Sequence, residues 1–86
     1  MSSGIVITGP HCAAARGLLR MTQGELAKAS GVSENTIGAF ESGERVPRRA
    51  TLDALKDAFE RRGIEFSNGD EPGVKLRRSR AVIPAP

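Results

Sequence analysis

The stretch from Gln23 to Ser42, QGELAKASGVSENTIGAFES, constrains the fold more than any other part of the chain. Thr22 precedes it and Glu25 follows three residues on, the spacing of a capping box in which hydroxyl and carboxylate each satisfy an orphan backbone N–H. Leu26, Ala27 and Ala29 give the first helix a small apolar side. Gly31 ends it, since glycine enters the left-handed conformation at little steric cost. Val32 is an apolar plug at the corner. Ser33 caps a second helix whose inward face is Ile37 and Phe40, with Thr36 a further candidate, and Gly43 marks its end. Two helices, a tight corner and a small residue where they approach form the pattern of a helix-turn-helix.

The remaining chain reads as support for this pair. Thr8 is an N-cap and Pro10 sits in the first turn of a helix to about Arg20, with Cys12, Ala15, Leu18 and Leu19 as its apolar positions. Before it, Ile5-Val6-Ile7 reads as either a small strand or an apolar arm packing on a partner. After Gly43, ERVPRRA is a loop anchored by Pro47. Thr51 is a candidate cap for TLDALKDAFERR, with Arg49 and Ala50 as the alternative first turn. Leu52, Leu55, Ala58 and Phe59 form a helical stripe, Lys56 pairs with Glu60, and Gly63 ends the helix. The period then changes. Strands at about 64–67 and 73–77 flank the turn formers SNGDEPG and make a β-hairpin with Ile64, Phe66, Val74 and Leu76 on one face. An isolated hairpin is marginal in water, so that face must rest on the preceding helix, on the Ile5–Ile7 arm or on a second subunit. The division is a 1–7 arm, an 8–63 helical domain, a 64–78 hairpin that is a candidate dimerisation element, and a flexible 79–86 tail.

At 86 residues the chain makes one small domain with a modest core, and dimerisation would add buried area. It has three Phe and neither Trp nor Tyr, so the core must be mostly Leu, Ile, Val and Ala. Residues 1–42 hold three basic and three acidic side chains, and residues 43–86 hold ten and seven, so the net charge of +3 arises wholly beyond the helical pair. That excess fits a polyanionic partner and equally a solvated surface. Cys12 and His11 are the only residues of their kinds. They make neither a disulfide nor a zinc site, so Cys12 reads as a small hydrophobe in the first helix and His11 as a first-turn surface residue. One His, one Cys and no glycine-rich phosphate loop leave no catalytic set, so no enzyme, metal or cofactor is expected. No apolar run is long enough to span a bilayer and no signal peptide is recognisable, which makes a reduced, cytoplasmic setting the expectation.

Between His11 and Gly63 the sequence resembles the phage-repressor-like (Cro/CI-type, or XRE) helix-turn-helix regulators. Gln23, Ala27, Gly31, Ile37 and Phe40 fall on the family's marked positions, and the TQ-x-x-LA run, Thr22–Ala27, and the ESG run, Glu41–Gly43, are similar to its motifs. The resemblance implies a mainly α, four- to five-helix lambda-repressor-like domain, here with a short C-terminal β-hairpin. It implies a bacterial or phage DNA-binding transcription regulator associated with the nucleoid, expected to be a homodimeric repressor on a two-fold site of double-stranded DNA.

By position, the resemblance turns Ser33, Glu34, Asn35, Gly38 and Ala39 toward base edges. Asn35 suits adenine, Glu34 suits cytosine N4, Ala39 suits a thymine methyl, and Ser33 or Thr36 suits a base or a phosphate. The helix carries no Arg or Lys, so specificity rests on Asn35 and Glu34 or on DNA shape. Gln23 is the family's phosphate grip, while Ser42, Arg45, Arg48 and Arg49 are candidates for flanking phosphates. Lys28, Lys75, Arg77, Arg78 and Arg80 are weaker candidates. Arg16 and Glu41 match a family pair and are expected to form a partly buried structural salt bridge. The competing reading is an antitoxin-like or antiactivator module that holds a protein partner through its hairpin or tail and also autoregulates its operon.

Overall fold

The computed structural model describes residues 5–67 and 73–77. The expectations for residues 1–4, for the turn at 68–72 and for the tail from 78 onward, including Arg78 and Arg80, lie outside the described residues. Four helices are followed by a two-stranded antiparallel sheet: α1 (Gly9–Leu19), α2 (Gln23–Ser30), α3 (Glu34–Ser42), α4 (Arg49–Glu60), β1 (Ile64–Ser67) and β2 (Gly73–Leu76). Ile64 lies opposite Leu76, and Phe66 opposite Val74.

Local chemistry sets the helix ends. At α2, the Thr22 hydroxyl accepts from the Glu25 N–H at 3.0 Å, and the Glu25 carboxylate accepts from the Thr22 N–H at 2.8 Å. Gly31 closes the helix with φ of 77°, a conformation that any side chain would strain. The same device stands at α1 with an unexpected acceptor. The Thr8 N–H donates to His11 Nδ1 at 3.0 Å, so His11 fills the place usually taken by Glu or Gln. Of the two starts that the sequence leaves open for α4, the structure takes the earlier one: the helix begins at Arg49 after Arg48, with no side-chain cap, and Arg49 and Ala50 precede Thr51 in the first turn. Pro47 just upstream is buried and fixes the approach of the chain.

The core joins all the elements. Cys12, Ala15, Leu26, Ile37, Phe40, Leu52, Leu55, Ala58 and Phe59 meet Ile64 and Phe66 of β1, and Ile7 enters from the N-terminal side. Full burial of each large apolar side chain stabilises by roughly 1.5–3 kcal/mol, so the few large ones matter disproportionately in a core this small. Phe59 and His11 each stand edge-on to Phe66, with ring centroids 5.9 and 5.6 Å apart. The hairpin therefore rests on α1 and α4 of its own chain.

Four sequence expectations are corrected by this packing. His11 is not a surface residue: it is 5% exposed, and with Nδ1 accepting from Thr8 its Nε2–H donates to the Ser67 carbonyl at 3.2 Å. Lys56 does not pair with Glu60. It is 3% exposed and its Nζ donates to the Ile5 carbonyl at 2.6 Å, holding the N-terminal segment against α4. Ile5–Ile7 of that segment is not a strand, and Ile7 is buried in the core of its own chain. Leu18, placed on the inner face of the first helix by its spacing, is 45% exposed because α1 buries only its Gly9, His11, Cys12 and Ala15 side.

Candidate nucleic-acid interface

The second helix of the motif, α3, has two different ends. At its start Ser33 is the N-cap: its oxygen accepts from the Thr36 N–H at 3.1 Å, and its hydroxyl donates to Thr36 Oγ1 at 2.8 Å. One hydroxyl proton is committed to this Ser33–Thr36 bond, and the other remains available to a ligand. Ser33, Glu34 and Asn35 are exposed, while Thr36, Gly38 and Ala39 are half-buried along the flank. The Asn35 amide bonds to no described residue, so donor and acceptor are both open. Glu34 leans back over α2: its Oε1 lies 3.3 Å from where a Cβ on Gly24 would stand.

At the other end, Glu41 turns inward and gathers four donors. Arg16 approaches it in a fork, Nε to Oε2 and Nη2 to Oε1, both at 2.7 Å. Cys12 Sγ donates to Oε2 at 3.1 Å, and Gln23 Nε2 donates to Oε1 at 3.1 Å. Arg16 Nη1 also donates to the Met21 carbonyl at 2.9 Å, which ties the α1–α2 link into the cluster. The Arg16 and Glu41 side chains are 21% and 9% exposed. Burial opposes the Glu41 charge, but hydrogen bonds from Arg16, Cys12 and Gln23 outweigh it and hold the carboxyl below its usual range. Burial first, and then Glu41, push the Cys12 thiol far above the ordinary cysteine range, so it stays protonated and donates. Cys12 is therefore more than a small hydrophobe. The sequence signal for that role is its i, i+4 spacing from Arg16, which puts both on the face that meets Glu41.

The loop after α3 supplies the positive charge. A shallow concavity lined by Thr36, Arg45, Val46, Pro47, Arg48 and Thr51 joins the flank of α3 to the loop arginines. Arg45 and Arg48 are exposed and make no ion pair with any described residue. Arg49 pairs with Asp53 at 3.1 Å, but both are largely exposed, so the pair is weak and readily exchanged. Ser42 donates its hydroxyl to the Ala39 carbonyl at 3.1 Å, so it reaches a phosphate only by giving up that bond. Lys28 and Lys75 are exposed, and Arg77 is bound to Glu65 at 2.7 Å. Gln23, at the first position of α2, faces α3 across the corner, close to Gly38. The exposed start of α3, with its open amide, thus lies beside exposed arginines and the N-terminus of α2.

The helix-turn-helix family model matches residues 13–66, which spans α2, α3 and α4 and runs into β1. The chain belongs to the Cro/CI-type (XRE) helix-turn-helix family. No curated protein matches it. Membership makes this XRE-family chain a DNA-binding regulator of transcription, from a family that is regulatory rather than typically enzymatic. Among the described residues no helix is long and apolar enough to cross a membrane, and no cluster of His, Cys, Asp or Glu is arranged to hold a metal ion.

Proposed function

We propose that this XRE-family chain is a sequence-specific repressor that binds a two-fold operator as a homodimer, with α3 in the major groove. The observation that carries the reading is the exposed start of α3, where Asn35 presents an amide with no partner among the described residues. A planar amide matches the donor and acceptor of adenine in the major groove, and the Glu34 carboxylate matches cytosine N4. Arg45 and Arg48 supply backbone affinity, joined by Arg49 once it leaves Asp53, and by Gln23 with the first N–H groups of α2. Ser33 and Thr36 together offer one hydroxyl donor, since their other hydroxyl proton lies in the bond between them. Repression needs only occupancy of a promoter. A dimer follows from the two-fold site and from the small core of a single chain.

Selection of bound duplexes from a random pool tests the reading. The expected product is a palindrome-like site with half-sites about one helical turn apart, or a multiple of that. Equal retention of all sequences at moderate salt would contradict sequence specificity. Recovery of single, unpaired half-sites would contradict the dimer.

A further inference from the structure

Gly38 lies in the interior of α3, where glycine is disfavoured by roughly 1 kcal/mol relative to alanine. Packing does not require it. A Cβ at this position would meet only the Gln23 side chain, at 3.6 Å from Oε1 and 3.9 Å from Nε2, both ordinary contact distances. The neighbour it would touch is an amide in a defined orientation. Glu41 accepts only, so the group facing it must be the NH2 of Gln23, and the contact is Nε2 to Oε1 at 3.1 Å. That bond uses one of the two Nε2 protons. The other proton and the carbonyl oxygen bond to no described residue, and they lie against the gap left by Gly38.

We infer that Gly38 is a positioning residue: it keeps the Gln23 amide, aimed by Glu41, uncovered for a DNA phosphate. The inference rests on the DNA-binding reading above and assigns Gly38 a role other than facing a base. A methyl group at 38 fits the fold but covers the amide, so stability and binding move in opposite directions.

The test compares the full chain with Gly38→Ala, Gln23→Ala and the double variant, on the selected duplex and on a random duplex, across a salt series. Gly17 serves as control: it is a second interior helix glycine, but a Cβ there meets nothing within 4 Å. Gly38→Ala is expected to raise the melting temperature by roughly 4–8 °C. It is expected to weaken binding to both duplexes about tenfold, the size of one hydrogen bond to a charged group. The salt slope stays unchanged, because an uncharged amide releases no counterion. In the Gln23→Ala background the same substitution has no further effect on binding. Gly17→Ala gains stability without loss of binding. The inference is overturned if Gly38→Ala binds as tightly as the parent, if its loss is confined to the selected sequence, or if the loss persists without Gln23. If the parent binds neither duplex, the DNA-binding reading itself falls, and this inference falls with it.

Discussion

The two ends of α3 are nine residues of one helix held to opposite standards. At the C-terminal end almost every polar atom is committed: Glu41 takes four donors from α1 and α2, and Phe40 is buried beside it. At the N-terminal end the backbone is capped, but the Asn35 amide and one hydroxyl proton of the Ser33–Thr36 pair bond to no described residue. A reading head needs both conditions. Base recognition requires unpaired donors and acceptors, and these discriminate only when the element carrying them is rigid. The charged cluster at one end is the mount for the polar face at the other.

The largest expected effect comes from breaking the mount. Glu41→Ala leaves Arg16 without its partner and should destabilise the domain by about 3 kcal/mol, the low end for a broken buried pair because Arg16 is partly exposed. Urea denaturation at neutral pH measures it, and a loss below about 1 kcal/mol would mean that the cluster does not hold α3. At the open end, Asn35→Ala should leave stability within about 0.5 kcal/mol and weaken binding by about 1–3 kcal/mol at a single base position. Repeating the site selection with this variant should relax preference there alone; an unchanged consensus would remove Asn35 from the readers. Arg48→Ala should weaken binding to every sequence and lower the salt slope by about one, whereas a change of consensus would assign Arg48 to a base.

Acid provides the gentlest probe of the mount. Glu41 is held below the usual carboxylate range, so its contribution is complete above the unfolded value of about 4.3 and is lost as pH falls through the folded value. Melting temperature should therefore drop below about pH 4 more steeply in the parent than in Glu41→Gln. Parallel curves would show that the carboxylate adds no pH-dependent stability.

Much of this architecture was legible because its signals are local. The Thr22–Glu25 box, the Gly31 and Gly43 ends and the Ser33 cap depend on residues three or four apart, and each forms as the spacing indicates. The alternation at 64–67 and 73–77 likewise placed the hairpin. What escaped depends on partners far along the chain. His11 bonds to a carbonyl 56 residues away and Lys56 to one 51 residues away, and nothing beside either residue announces a buried polar role. The start of α4 was legible only as two alternatives, because a hydroxyl before an apolar run looks like a cap, and the structure takes the one in which the chain has already entered the helix behind Pro47. At the site, the family resemblance gave Arg16 opposite Glu41. It did not give Cys12 and Gln23 as further donors to the same carboxylate, nor the Ser33–Thr36 bond that takes up one of the two hydroxyl protons.

DNA is proposed to meet the open end of α3 and to leave the mount intact. Titration of the isotope-labelled protein with its selected duplex, followed by backbone and side-chain amide NMR, tests this residue by residue. The largest shifts are expected at Ser33–Ala39, including the Asn35 side-chain amide, with further shifts at Gln23, Arg45 and Arg48. Saturable binding that leaves Ser33–Ala39 unshifted and moves the hairpin instead would contradict the proposed contact.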